Sequence, residues 1–331
     1  MSKILGLLSQ STGIGPLNLL RIIRDAPKSY KIFYIPKKNG DSREIAQPSA
    51  ELKIVQRALV SEYLVFLPCH PAATAYRSGL SLKDNATPHA GHTPIAKFDF
   101  KDFFPSITEN DWITYCRKFT DLDKLDIDLT RRLLFMRQPG GRILRLSIGA
   151  PSSPILSNVI MYNFDSILAE HASRDEVTYT RYADDMTFSA PRAGHLRNIE
   201  KYIRQAVKEA GFPKLQLNKE KTTLVTTRFS RRVTGLTLAN DGRVTIGSER
   251  KRWIRSALHH LSIGTISLSD RERLSGLLAF ANGVEPAYLD KLKKDYGEEF
   301  IDDTLRIKPR QKWKGPSSRL LPAALRAQKS D

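Results

Sequence analysis

Thr180-Arg181-Tyr182-Ala183-Asp184-Asp185-Met186-Thr187-Phe188 places two adjacent carboxylates inside an otherwise β-prone run. Acidic residues are poor strand formers, so a hairpin whose tip presents both carboxylates near one point is the natural reading. A second piece, Phe98-Asp99-Phe100-Lys101-Asp102-Phe103-Phe104, puts Asp99 at the end of an apolar strand. Three carboxylates brought together repel one another unless cations lie between them. Two Mg²⁺ ions meet that need and suit in-line phosphoryl transfer, one activating an attacking 3′-hydroxyl and the other steadying a leaving pyrophosphate. Taken singly, Asp184-Asp185 reads equally well as a solvated turn and Asp99 as a strand-end charge. Their joint occurrence, in this order, points to chemistry.

The flanking sequence is a mixture of strands and helices. Residues 31–47 read as two strands joined by a basic turn, with Asn39-Gly40 as the hairpin signal. A helix follows with Leu52, Val55, Leu59 and the Tyr63/Leu64 pair on one stripe. Residues 95–100 alternate as a strand, helices are expected over about 109–119 and 126–136, and Pro139-Gly140-Gly141 makes a turn. Ser152-Ser153-Pro154 reads as a helix start, serine capping and proline in the first turn, and one helix then carries Ile155, Val159, Phe164, Ile167 and Leu168. A helix from about 195 stops at Gly211. A strand pair near 222–246 precedes helices opening at Ser248 and at Ser269, where Glu272 completes a capping box. The pattern is α+β.

Composition narrows the partner. The 331 residues hold 53 Lys plus Arg against 35 Asp plus Glu, a net charge of +18, with a pI near 9.9. Such an excess fits a polyanionic partner, nucleic acid or an anionic surface. No apolar run reaches the ~18 residues that span a bilayer, so no membrane is expected as a partner. Cys69 and Cys116 are the only cysteines, without zinc or disulfide spacing, and a reducing cytoplasm fits best.

These residues carry a resemblance. Tyr182-Ala183-Asp184-Asp185 resembles the catalytic tetrapeptide of reverse transcriptases, and residues 98–107 (FDFKDFFPSI) resemble the strand that supplies the first metal aspartate. Residues 147–158 (SIGAPSSPILSN) look like the segment packed against the template–nucleotide pair. Asn218-Lys219-Glu220-Lys221-Thr222 looks like the lysine-bearing motif beyond it. Ile35-Pro36-Lys37-Lys38-Asn39-Gly40 with Arg43 resembles the loop that grips the triphosphate. The matches keep the family's order over about two-thirds of the chain. Asn85-Ala86-Thr87-Pro88-His89 and Val233-Thr234-Gly235 look like hallmarks of bacterial retron reverse transcriptases. One departure is Ile148, where the family often has a glutamine that helps hold the nucleotide.

The resemblance implies a right-hand polymerase: an N-terminal helical segment (1–30), fingers and palm (31–246) with an antiparallel palm sheet, a helical thumb (247–305) and a basic tail (306–331). It implies two Mg²⁺ held by Asp99, Asp184 and Asp185, with Phe100 as a further metal contact, and Lys221 as a proton donor to pyrophosphate. It implies that the triphosphate is clamped by Arg43 and by Lys37 or Lys38, that Gly149 lies against the nucleotide, and that Phe104 is the steric gate beside a core Phe103. RNA contacts are expected from Asn85, His89, Val233, Thr234 and Gly235, and from Arg250, Lys251 and Arg255 on a helix whose core stripe is Trp253, Ile254, Ala257, Leu258 and Leu261. The implied partners are dNTPs and a dedicated structured RNA that is both primer and template. Copying starts at an internal 2′-hydroxyl and gives a branched RNA–DNA hybrid (msDNA), with a toxin-like effector protein and antiphage defence as the setting. A reverse transcriptase with different priming (group II-like or phage-defence type) and a non-catalytic RNA-binding scaffold remain alternatives.

Overall fold

Ser2 opens helix α1 (Lys3–Thr12), its hydroxyl accepting from the Leu5 amide. A buried carboxylate from far along the chain completes the cap. Asp126 accepts from the Ser2 hydroxyl, from the Ile4 amide at 3.2 Å and from the Lys3 amide at 3.2 Å. These first amides have no partner within their own helix, which is why a carboxylate there stabilises it. The computed structural model describes residues 2–36, 40–225 and 231–307. Two units, residues 1–245 and 246–331, cluster separately, and each is described by itself.

In the first unit, α2 (Pro16–Asp25) follows, then the antiparallel hairpin β1 (Tyr30–Pro36) and β2 (Ser42–Pro48), in register from Tyr30 opposite Pro48 to Pro36 opposite Ser42. Its tip residues 37–39, including Lys37 and Lys38, lie outside the described residues. Ser49 caps α3 (Ala50–Glu62) through the Leu52 amide. Ile4, Leu8, Leu19, Leu52 and Leu59 are fully buried in one core with Leu133 and Leu134, so the N-terminal helices share the core of this unit.

Next come α4 (Leu82–Ala86), β3 (Ile95–Asp99), the short α5 (Phe103–Ser106), α6 (Glu109–Phe119) and α7 (Lys124–Leu134). The ladder β4 (Met136–Arg137) with β5 (Leu144–Arg145) flanks the glycine turn. One helix was expected beyond Ser152, but there are two, α8 (Ser153–Ile160) and α9 (Tyr162–Arg174). The break is Met161, whose ψ of −2° departs from the value of about −42° that a regular helix repeats. Ser152 does not cap through its side chain, because its own backbone is already helical at ψ −28°.

Strands β6 (Thr178–Tyr182) and β7 (Asp185–Ser189) form the hairpin around Ala183-Asp184. Helix α10 (Ile199–Ala210) ends at Gly211, which supplies a φ of 77°. The expected strand pair near 222–246 is four short strands. Strand β8 (Thr223–Val225) joins the main sheet, and β9 (Arg232–Val233), β10 (Leu236–Leu238) and β11 (Val244–Thr245) make a separate one. The main sheet has the order β6-β7-β3-β8 with antiparallel neighbours. Its period of two sets Ala96, Phe98, Met186 and Phe188 on one face, buried at 7% exposure or less, and Lys97, Asp99, Asp185 and Thr187 on the other.

The second unit is helical: α11 (Ser248–Ser262), α12 (Leu268–Val284), α13 (Pro286–Tyr296) and α14 (Glu298–Leu305). Ile254, Leu258, Leu274, Leu278, Leu292 and Ile301 are among its buried apolar residues. The cap of α12 is Ser267, not Ser269. Ser267 has the extended backbone that lets its hydroxyl accept from the Asp270 amide at 3.1 Å. The basic tail beyond 307, with Trp313, lies outside the described residues. Among the described residues no helix is long and apolar enough to cross a membrane.

Candidate active site

The sheet register brings the acidic residues together. Asp99, at the end of β3, stands directly opposite Asp185, the first residue of β7. Asp184 is in the turn just before it, and its carbonyl accepts from the Phe100 amide at 3.4 Å. Ala183 takes a φ of 58° to make this tight reversal, a conformation that costs a residue with a Cβ. Asp99 is 3% exposed, and its two oxygens each accept from the Lys221 ammonium at 3.0 Å. The neighbouring Asn218 donates its amide to the Asp99 carbonyl at 2.8 Å.

Electrostatics follow from this crowding. Burial, then the Asp184 charge, then contact with Asp99 push the Asp185 carboxyl up to about 7, although one side of it is open to solvent. Burial and the Asp99 charge raise Asp184, against the pull of Lys221 and Arg43. Burial works against the Lys221 charge, but the Asp99 contact and the charges of Asp184 and Asp185 hold its pKa above the ordinary lysine value. Acids raised by burial and then by mutual repulsion, with an ammonium drawn in to offset them, are what a cation-binding carboxylate set looks like without its cations. The donors therefore fit divalent ions. Among the described residues no three acidic, histidine or cysteine side chains already surround one point, so the carboxylates are neighbours rather than a closed cage. Phe100 offers only its backbone carbonyl, since its ring is buried at 2% exposure.

A fully buried ion pair lies beneath the turn. Asp165 on α9 and Arg181 on β6 are both 0% exposed, and Asp165 accepts from Arg181 Nε at 2.8 Å, Nη2 at 2.5 Å and the Tyr179 hydroxyl at 2.8 Å. Arg181 Nη1 donates to the Ala183 carbonyl at 2.9 Å and to Asn158 Oδ1 at 3.2 Å. Burial would lower the Arg181 pKa, but the Asp165 charge more than offsets it. Nothing in a linear reading marked Asp165, Arg181 or Asn158 as connected.

The other expected site residues fall as follows. Arg43 is exposed on β2, near enough to act on the Asp184 charge. Phe103 is buried at 3% exposure, whereas Phe104 is half-buried, edge-on to it at 5.4 Å. Gly149 has a φ of 126°, and a Cβ there would lie 2.9 Å from the Ala46 carbonyl, while the Ile148 carbonyl accepts from the Ala46 amide at 2.8 Å. The SIGAP segment is thus laced to β2.

The expected RNA contacts need correction in part. Asn85 is 1% exposed and His89 0%. Asn85 accepts from the Thr74 hydroxyl at 2.8 Å and reaches the Thr234 hydroxyl at 3.4 Å. His89 bridges Ser189 at 2.7 Å and Thr180 at 2.8 Å. Their polar atoms are used inside the protein, so these side chains frame the back of the sheet rather than face RNA. Val233 is fully buried, Thr234 half-buried and Gly235 exposed. Lys251 is paired with Glu285 at 2.6 Å and lies over the Tyr288 ring. Arg250 donates to the Ile246 carbonyl and covers the Phe280 ring. Arg255 is exposed.

Comparison with known proteins bears on this geometry. The model of the family "Reverse transcriptase (RNA-dependent DNA polymerase)" matches residues 35–238, more than half of the 331. The chain belongs to the reverse transcriptase family. It is 34% identical over 275 residues to the Retron Ec83 reverse transcriptase of Escherichia coli, covering 82% of this chain and 88% of that one. The Retron Ec86 reverse transcriptase of Escherichia coli is 31% identical over 300 residues, covering 88% of this chain and 90% of the relative. A foamy viral protease-reverse transcriptase in complex with double-stranded DNA overlays with a TM-score of 0.44 at 14% identity, over 83% of this chain and 43% of that chain. The protein is a retron-type RNA-directed DNA polymerase with the family's right-hand architecture. Reverse transcriptases work with divalent metal ions and nucleic-acid templates.

Proposed function

We propose that this polymerase copies a dedicated structured RNA into a branched RNA–DNA hybrid, with Asp99, Asp184 and Asp185 as its metal-binding carboxylates. The observation that carries the site is the register of β3 against β7, which sets Asp99 opposite Asp185 and leaves Asp184 in the adjoining turn. These carboxylates would hold two Mg²⁺ ions, whose charge would activate the attacking hydroxyl and steady the leaving pyrophosphate. The Phe100 carbonyl is a further donor beside Asp99.

The chain's own groups supply the rest. Arg43, with Lys37 or Lys38, holds the triphosphate, the guanidinium through paired hydrogen bonds. Phe104 fills the space a ribose 2′-hydroxyl needs, and Gly149 keeps the backbone close to the nucleotide. Lys221, already drawn to Asp99, is placed to hand a proton to pyrophosphate. Residues 1–30 support the fingers, 31–246 form fingers and palm, 247–305 the thumb and 306–331 a basic tail. Arg255 meets backbone phosphate, a contact that positions without reading sequence. Thr234 and Gly235 serve the cognate RNA over a buried Val233, with Asn85 holding Thr234 in place and His89 bracing the strands beside it. Antiphage defence with a toxin-like effector, in the cytoplasm, is the setting this reading favours.

The test is to express the chain with its upstream genomic sequence and analyse the nucleic acid that co-purifies. A DNA joined to RNA through a 2′–5′ bond, released by debranching enzyme, is expected. Product that is unbranched and begins at a free 3′ end would overturn the priming mode and leave the polymerase intact.

A further inference from the structure

Tyr76 belongs to no motif singled out in the sequence, yet its backbone is unusual. It takes a φ of 62°, where a bulky side chain is seldom found unless its surroundings impose it. The surroundings do so here. The Ala75 carbonyl accepts from Asn158 Nδ2 at 2.7 Å, and the Thr74 amide donates to the Arg181 carbonyl at 2.9 Å. Ala73 bridges to Arg181, and the Thr74 hydroxyl donates to Asn85 at 2.8 Å. The clamp on this segment is thus the polar network that also holds the Ala183 carbonyl.

The result is a tyrosine left 44% exposed between the two acidic elements. Its ring centroid is 6.4 Å from Phe104 and 6.3 Å from Tyr182, within the range of roughly 4.5–7 Å that aromatic pairs favour. Its hydroxyl lies within reach of the Asp184 and Arg43 charges. A large ring held in a costly conformation, open to solvent and beside Phe104, is poorly explained by core packing.

We propose that Tyr76 is a specificity-determining residue whose ring backs Phe104 and forms the second wall of the pocket for the incoming nucleotide's sugar. This rests on reading Phe104 as the gate. With no ring behind it, Phe104 can swing aside, and the space denied to a 2′-hydroxyl opens. The ring matters and the phenol oxygen does not.

The experiment measures kcat/KM for dTTP and for UTP on oligo(dT)-primed poly(rA), with wild type, Tyr76→Ala, Tyr76→Phe, Phe104→Ala and the double alanine variant. Tyr76→Ala is expected to lower the dTTP-to-UTP ratio by about tenfold, the scale of a changed steric contact in a pocket. Tyr76→Phe should keep the ratio within about twofold, and the double variant should fall no further than Phe104→Ala, as expected of coupled neighbours. Tyr76→Gly, which accepts a positive φ without strain, replaces Tyr76→Ala if that variant does not fold. An unchanged ratio in the ring-less variant, with a lowered ratio in Phe104→Ala, overturns the role of Tyr76 and keeps the gate. Unchanged ratios in both overturn the gate and this proposal with it.

Discussion

Replacing Asp165 by asparagine should be among the most damaging single changes in the protein, although Asp165 is no metal ligand. The carboxylate accepts three hydrogen bonds, from Tyr179, Arg181 Nε and Arg181 Nη2, and both members of the pair are 0% exposed. Asparagine keeps the shape but turns one acceptor into a donor and leaves the guanidinium without its counter-charge. Removing one partner of such a pair costs about 3–5 kcal/mol, a large share of the roughly 5–15 kcal/mol that holds a domain folded. Urea unfolding monitored by circular dichroism measures this. The pair also has a functional side, since Arg181 Nη1 holds the Ala183 carbonyl. The double variant Asp165→Leu with Arg181→Met should recover most of the stability, because an apolar pair of similar volume often replaces a buried ion pair at little cost. It should not recover synthesis, which stays more than about tenfold down for a loss of ~1.4 kcal/mol or more at the turn. An Asp165→Asn midpoint equal to wild type, or a double variant with full activity, would refute this account of the turn.

Other perturbations have defined outcomes. Asp126→Ala removes the acceptor of the Ser2 hydroxyl and of the Lys3 and Ile4 amides, and should cost about 2–4 kcal/mol, more than the roughly 0.5–2 of a simple helix cap because the Ser2 and Ile4 donors left behind are buried, read by chemical denaturation. Gly149→Val forces a side chain to a φ of 126° against the Ala46 carbonyl; KM for dNTP should rise several-fold with template affinity unchanged, measured by steady-state kinetics and filter binding. His89 is pushed down to about 3 by burial first, then by His92 and Lys97, so the folded state keeps it neutral while the unfolded chain takes up its proton below about pH 6.5. The stability due to His89 is therefore complete above that pH and is lost as pH falls toward 3, at up to ~1.4 kcal/mol per pH unit; His89→Gln should flatten the slope of unfolding free energy between pH 6 and 4, and an identical slope would count against the burial argument.

The parts legible in the sequence are those encoded locally. Asp99 at a strand end and Asp184-Asp185 at a hairpin tip needed only short-range patterning, and the sheet register then brought them together. The Gly211 stop was likewise visible, because a cap depends on a few adjacent residues, and α11 does open at Ser248, with Gly247 as its cap and no side-chain capping bond. What could not be seen are pairings between distant positions. Asp165 is an ordinary helical acid until α9 lies against β6, and Asp126 caps a helix 122 residues away in the chain. Asn85 and His89 carried a family signature, but a signature does not say which way a side chain faces. Met161 interrupts a run whose apolar spacing suits one helix, and only its backbone angles separate α8 from α9. Tyr76 left no signal in the sequence, since neither its positive φ nor its aromatic neighbours follow from the residues beside it.

The central claim is that Asp99, Asp184 and Asp185 are the catalytic carboxylates of an RNA-directed DNA polymerase. The most direct test is Mg²⁺-dependent incorporation of dNTPs on a primed RNA template by purified wild type and by Asp184→Asn, with circular dichroism and RNA binding recorded for both. Synthesis by wild type, none by Asp184→Asn and equal folding and RNA binding are predicted, because asparagine removes a charged metal donor without disturbing the core. Asp184→Asn that extends the primer at near wild-type rate in Mg²⁺ would contradict the account.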